Sequence, residues 1–313
     1  MKILIAGASG MIGQRITELC HQRGDVVHYL TTDKSNLCND ENYKGFYWNP
    51  AKKEIDLNCF SQVDAVINLA GENIAKPWTL FRKKRIFKSR KDSVELLDKS
   101  IPEDNQIKAF VSASAIGIYP HSLTNYYQED EQVHSKDFLG KVIQGWEKKA
   151  HKLRAHHKFP VAIIRTGMVL SDTGGALSKM RAMTAKCLGA VIGTGEQWVS
   201  WIHIRDIAAI YLFCIDNHLD GVYNGVAPNP VCNTKLTREL AVLLGKPIIL
   251  PAVPIPVLKL LLGDRSSLLW NSQRVSSKKI EDEGYYFHYA SIKPALRDVV
   301  LHEKSQLLEE ELA

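Results

Sequence analysis

Met1-Lys-Ile-Leu-Ile-Ala-Gly-Ala-Ser-Gly-Met-Ile-Gly13 is the stretch that decides the fold. Lys2 to Ala6 is a short apolar run of the kind that forms a buried strand. Gly7, Gly10 and Gly13 follow at the G-x-x-G-x-x-G spacing, and Met11 to Arg23 then places apolar residues at Met11, Ile12, Ile16 and Leu19, a helical period. Strand, glycine turn and helix in that order predict a dinucleotide-binding turn. Glycine serves separate ends there: a tight turn, close approach of backbone N–H groups to a pyrophosphate, and tight packing of helix on strand. The helix N-terminus adds unpaired N–H groups and a positive dipole end.

The bulk properties set the class around that turn. A chain of 313 residues can bury a large core, and 45% hydrophobic with 24% charged residues is ordinary for a globular protein. No apolar run reaches membrane-span length, and the N-terminus reads as a strand rather than a signal peptide. Cys20, Cys38, Cys59, Cys187, Cys214 and Cys232 are scattered without a C-x-x-C pair, as reduced cytoplasmic thiols would be, and no metal-ligand set is expected. The net charge of +6 suits an anionic cofactor or substrate without calling for nucleic acid.

Downstream, Val26 to Leu30 predicts a second strand running into Thr31-Thr32-Asp33-Lys34. An acid at that strand end would suit the ribose hydroxyls of NAD. Here Thr31, Thr32 and Lys34 could hold a 2′-phosphate, with Asp33 opposing them, so NADP is the expected cofactor and NAD the alternative. Gly45 to Asn49 predicts a third strand and Asp64 to Ala70 a parallel strand buried on both faces; small residues after it, Ala70 and Gly71, would let a nucleotide lie against the sheet edge. The basic run Phe81 to Lys91 is a nucleic-acid patch or the solvated face of a helix, and the second is preferred. At about 100° per residue, Ile86, Phe87, Val94, Leu97 and Ile101 make an apolar stripe that contains Arg90. An inward arginine needs an anionic or hydrogen-bonding partner.

Ala109 to Ser112 predicts the next strand, opening into serines at a position where ligands sit in open α/β sheets. Lys136 to His157 predicts a long helix with Leu139, Val142, Ile143, Trp146, Ala150 and Leu153 inward. Val161 to Thr166 predicts a strand, and His203, alone between apolar residues, reads as structural. From Ala227 on, prolines cluster and elements shorten. The expected division is a nucleotide-binding domain over 1–225, a C-terminal substrate lobe over 226–302 and a charged tail over 303–313.

Taken together, the motifs resemble the short-chain dehydrogenase/reductase superfamily in its extended form, and more narrowly its atypical epimerase-like branch, which includes bacterial sugar-epimerase homologues and the animal family 39U. The resemblance covers essentially the whole chain. It rests on the glycine turn, Asn68-Leu69-Ala70-Gly71-Glu72-Asn73-Ile74, Ser89-Arg90, Ser114-Ala115-Ile116-Gly117 before Tyr119, and Trp146-Glu147. Further matches are Arg165-Thr166-Gly167, Gly174-Gly175-Ala176-Leu177, Trp201-Ile202-His203-Ile204, Ala227-Pro228-Asn229-Pro230, Leu261-Leu262-Gly263 and Gln273-Arg274-Val275.

The resemblance implies an α/β Rossmann fold, a doubly wound parallel sheet, with a smaller C-terminal α/β lobe of DUF1731 type. It gives Gly7, Gly10, Met11 and Ile12, with Ser9 between them, to the pyrophosphate, and Leu69, Ala70 and Gly71 to the adenosine side. It puts Arg90 at the cofactor where the wider superfamily has a structural Asn, lines the nicotinamide pocket with Val169, and assigns Ser114 to polarise a substrate hydroxyl or carbonyl. Two positions depart from the pattern. Thr32 stands where the branch usually has arginine, and the catalytic Tyr-x-x-x-Lys positions, counted back from Glu147, hold Leu139 and Ile143. Neither apolar side chain can take a hydroxyl proton or lower a neighbour's pKa. The expected function is an NADP(H)-binding oxidoreductase or sugar-nucleotide epimerase-like protein with an altered proton path, with Tyr119 or a water as a substitute acid. The alternative is a catalytically silent NADP(H)-binding regulator or scaffold. The partners expected are the dinucleotide, a small-molecule substrate and a second copy of the chain as a homodimer, with neither nucleic acid nor membrane.

Overall fold

A computed structural model describes residues 1–301; the tail expected over 303–313 lies outside them. In chain order the elements are β1 (Lys2–Ala6), α1 (Met11–Gln22), β2 (Val26–Thr31), β3 (Tyr43–Asn49), β4 (Glu54–Ile55), β5 (Ala65–Asn68), α2 (Leu80–Ser100), β6 (Ala109–Ala115), β7 (Tyr126–Tyr127) and α3 (Phe138–His156). They continue with β8 (Val161–Thr166), β9 (Met168–Leu170), α4 (Gly175–Ala185), β10 (Trp198–Val199), β11 (Trp201–His203), α5 (Ile204–Asp216), β12 (Gly221–Gly225), β13 (Val231–Cys232), α6 (Asn233–Leu244), α7 (Ile255–Leu262), α8 (Ser267–Trp270), β14 (Arg274–Val275) and α9 (Lys278–Asp282). A further helix covers 292–301.

The chain divides into two compact units. The first holds 1–118, 134–165 and 208–223, and the second 119–133, 166–207 and the segment from 224 on. The main sheet runs β12-β8-β6-β5-β1-β2-β3-β4. Its pairs β3·β2, β2·β1, β1·β5 and β5·β6 are parallel, and only the short edge strand β4 pairs antiparallel with β3. Strand order reverses at β1, which lies between β2 and β5. In a doubly wound sheet that switch point opens a crevice at the carboxyl ends of the strands. Ile3, Leu4 and Ile5 of β1, and Val66 and Ile67 of β5, are fully buried, as strands covered on both faces must be.

The second unit has its own core, in which Leu170, Leu177, Trp201, Leu236, Leu240 and Leu296 pack together. His203 belongs to it: its ring lies 4.0 Å from that of Tyr289 and its Nε2 is 3.1 Å from an Asp298 carboxylate oxygen, a structural placement. No helix among the described residues is long and apolar enough to cross a membrane.

Candidate functional site

The three glycines of the first turn do three different jobs. Gly7 has φ +91°, a region that glycine enters without the penalty a Cβ brings, and a Cβ there would also press within 3.1–3.2 Å of Leu69 and Ala70. Gly13 packs the helix onto the turn; a Cβ there would lie 2.2 Å from the Gly7 carbonyl oxygen and 2.7 Å from Ala8 Cα. Gly10 is different. It is exposed, has ordinary extended backbone as the N-cap of α1, and a Cβ on it would meet only the Gly7 oxygen at 3.3 Å. The mouth of the turn is open, and the N-cap makes no side-chain hydrogen bond to the first N–H groups of α1. Ser9 is exposed, and Met11 and Ile12 are half-buried on the first turn of α1.

The loop after β5 forms the other wall. Leu69 N–H donates to Ala6 O at 2.8 Å, tying that loop to the end of β1. Asn68 is fully buried, accepts from Ala70 N–H and donates to Ser93 of α2. Ser89 and Arg90 then hold both backbone groups of Glu72: its N–H donates to Ser89 Oγ at 3.0 Å, and Arg90 Nη1 donates to its carbonyl at 3.2 Å. Arg90 thus faces inward as the apolar stripe of α2 predicts. Its partners are the carbonyls of Glu72 and Ile86 and the face of Trp146, 5.2 Å away. Burial pulls its pKa down to about 10, against the opposing charge of Glu72. A Cβ on Gly71 would come within 3.1 Å of the Arg90 guanidinium, so the loop and the arginine are in contact. The basic run around it is occupied locally: Arg82 and Arg85 both pair with Glu72, and Lys83 and Lys91 lie over Phe138 and Phe87.

At the end of β2, Thr31 is half-buried and Thr32 exposed. The Asp33 carboxylate accepts from Ser35 N–H and Oγ, which lowers its pKa, and so caps its own turn. Lys34 lies over the Tyr47 ring at 4.8 Å. The structure therefore brings Gly7, Gly10, Leu69, Ala70, Gly71 and Arg90 together at the switch point, with Thr31 and Thr32 at the neighbouring strand end. Val169 is carried by the second unit, on β9, opposite Ile202 of β11.

Ser114 lies at the end of β6, one strand over from β5. Its hydroxyl donates to Glu147 Oε1 at 2.5 Å, and Arg165 grips the same carboxylate through Nε and Nη2, both at 2.9 Å. All three residues are buried, at 4%, 5% and 4% exposure. A carboxylate held by a guanidinium cannot donate, so the serine proton is committed to it and the oxygen's lone pairs are what Ser114 can offer. Beside this triad lie the two apolar residues that the resemblance aligns with the Tyr and Lys positions. Leu139 and Ile143 stand on the same face of α3, with Ile143 Cδ1 3.1 Å from where a Gly117 Cβ would sit. Tyr119, expected with water as a candidate substitute acid, is fully buried in the second unit and donates to Asn224 Oδ1 at 2.8 Å. Sequence reasoning does not find the Glu147–Arg165 pair, although an acid four residues beyond Ile143 on an otherwise apolar stripe, with an arginine on a buried strand, is a signal for it.

Comparison with known proteins converges on one family. The model of the NAD dependent epimerase/dehydratase family matches residues 3–226, and that of a domain of unknown function, DUF1731, matches 253–299. The mouse epimerase family protein SDR39U1 is 33% identical over 306 residues, 96% of this chain and 100% of the relative. The crystal structure of human SDR39U1 with NADPH superposes with a TM-score of 0.82 at 28% identity, covering 96% of this chain and 99% of the other. A nucleoside-diphosphate sugar epimerase from Corynebacterium glutamicum gives a TM-score of 0.77 at 27% identity over 100% of this chain and 61% of that one.

Proposed function

Because the chain belongs to the NAD dependent epimerase/dehydratase family, we propose that it binds NADP(H) at the glycine turn and acts as an oxidoreductase or sugar-nucleotide epimerase-like enzyme without the Tyr-x-x-x-Lys pair. The observation that carries this is the open mouth at Gly10, set between two glycines that are sterically required. Gly7, Ser9, Gly10, Met11 and Ile12 would hold the pyrophosphate, with N–H groups from the N-terminus of α1. Leu69, Ala70, Gly71 and Arg90 border the adenosine, Thr31 and Thr32 the 2′-phosphate, and Val169 the nicotinamide. The relative crystallised with NADPH supports the phosphorylated cofactor, and the turning of Asp33 onto Ser35 removes its carboxylate from competition.

A nicotinamide held there would exchange a hydride with the substrate carbon, with a water taking up or returning the hydroxyl proton. Ser114 then holds the substrate oxygen, accepting a hydrogen bond from a hydroxyl because its own proton rests on Glu147. Residues 226–302 contribute the substrate side. Mass spectrometry of nucleotide released from the purified protein tests the cofactor assignment. NADP(H) is the expected species; no dinucleotide, even after incubation with NADPH, contradicts it.

A second role is favoured by the apolar fill at Leu139 and Ile143: NADP(H) binding that controls a partner without turnover. Partner capture that changes on adding NADPH, with no hydride transfer to carbonyls, quinones or sugar nucleotides, selects it over the enzyme.

A further inference from the structure

Arg274 is the one residue of the Gln273-Arg274-Val275 motif whose purpose the nucleotide site does not absorb. It lies on β14, opposite Tyr126 of β7. Its guanidinium lies over two aromatic rings, 4.5 Å from the centre of Trp198 and 5.1 Å from that of Tyr126. Among the described residues it makes no hydrogen bond and no ion pair, and its Nε is buried without a partner. The surroundings are fixed. Gln273 N–H donates to Trp198 O at 3.3 Å, Gln273 Nε2 to Tyr119 O at 2.6 Å, Ser200 Oγ to Gln273 O at 2.8 Å, and Trp198 Nε1 to Leu123 O at 3.0 Å.

We propose that Arg274, packed against Trp198 and Tyr126, is a binding site for an oxyanion, the phosphate or carboxylate group of a small-molecule ligand. Both rings lie within cation–π distance of the guanidinium, and its Nε is buried. What remains is the Nη pair, two in-plane donors that match two oxygens of one phosphate or carboxylate. Two other inward arginines of this chain are tied down, Arg165 to the Glu147 carboxylate and Arg90 to backbone carbonyls, and Arg274 is half-buried. Among the described residues it has neither kind of partner. The Trp198 ring and the backbone of the neighbouring strand are fixed by hydrogen bonds, so part of the guanidinium's setting is ordered before any ligand arrives, which lowers the ordering cost of binding. The proposal stands on the second unit alone and does not depend on dinucleotide binding at the glycine turn.

Calorimetric titration of inorganic pyrophosphate, and separately of citrate, into the full chain and its Arg274→Gln and Arg274→Lys variants tests this. NADPH is titrated into the same samples so that loss of the glycine-turn site is seen independently. The expected result is binding of at least one probe that weakens about tenfold or more in Arg274→Gln and severalfold in Arg274→Lys, which keeps the charge and loses the planar donor pair. NADPH affinity stays within about twofold throughout. Pyrophosphate binding assigns the ligand group as phosphate, and citrate binding alone assigns it as carboxylate. Absence of binding by both probes, or equal affinity in wild type and variant, overturns the site. If Arg274→Gln does not fold by circular dichroism, the Arg274→Lys titration decides between the same two outcomes.

Discussion

The turn from Gly7 to Gly13 and the cluster of Ser114, Leu139, Ile143 and Glu147 belong to the same unit, yet they are built on opposite principles. The turn works through backbone: positive φ at Gly7, close contact at Gly13, and at Gly10 only the Gly7 oxygen nearby. Its chemistry is retained because no side chain has to supply it. The cluster works through side chains, and there the residues that would move a proton are apolar, while the remaining serine is tied to a buried ion pair. Under the proposed function, a site for binding a dinucleotide persists beside a cluster without the usual proton-carrying side chains. The difference tells which half of the chemistry is robust to substitution.

The largest expected effect comes from breaking the cluster. Glu147→Ala leaves Arg165 buried without its carboxylate and should cost about 3–5 kcal/mol. Chemical denaturation reads this, and a loss under about 1 kcal/mol would mean that water already reaches the pair. Gly13→Val attacks the turn by overpacking, since its Cβ alone would lie 2.2 Å from the Gly7 oxygen. It should cost about 3 kcal/mol and is read as a lowered denaturation midpoint. Thr32→Arg sharpens the cofactor side without touching the fold, because Thr32 is exposed. An added guanidinium for the 2′-phosphate should raise the preference for NADPH over NADH about tenfold, some 1.4 kcal/mol, measured by paired titrations.

The smallest effect concerns the contact of α2 with α3. Lys149 and Lys99 hold the Glu95 carboxyl at about 2, below its ordinary 4.5. The folded pKa is the lower one, so the pair's contribution is present above about pH 4.5 and is lost as pH falls toward 2. Glu95 is about one-third exposed, at 34%, and Glu95→Gln should cost no more than about 0.5 kcal/mol at pH 7. The difference between wild type and variant should shrink to nothing near pH 2; a constant difference across that range would assign the effect to packing.

Much of this was legible because it is local. Lys2–Ala6, Val161–Thr166 and α1 to within a residue follow from apolar period and glycine position. The inward turn of Arg90 follows from the wheel of α2. The third strand begins at Tyr43 rather than Gly45 because Tyr43 stacks on Tyr29 across the pair, 4.3 Å between ring centres. The two-residue strands β7 and β14 pair across more than a hundred positions, and no local pattern announces them. For the same reason the ring contacts of Arg274 were out of reach of sequence, as was the grip of Arg165 on Glu147, which joins a strand to a helix through side chains alone. Backbone requirements leave a mark on residue type; partnerships between distant polar groups leave only two unexplained residues.

Gly10→Val is the most direct test, because it separates folding from binding. A side chain at Gly10 meets only the Gly7 oxygen, at 3.3 Å, and the backbone there is ordinary. The expected result of titrating NADPH is saturable binding to the wild type and at least about tenfold weaker binding to the variant, with a loss of stability of no more than about 1 kcal/mol from the poorer N-cap. Equal NADPH affinity in the two proteins would contradict the account.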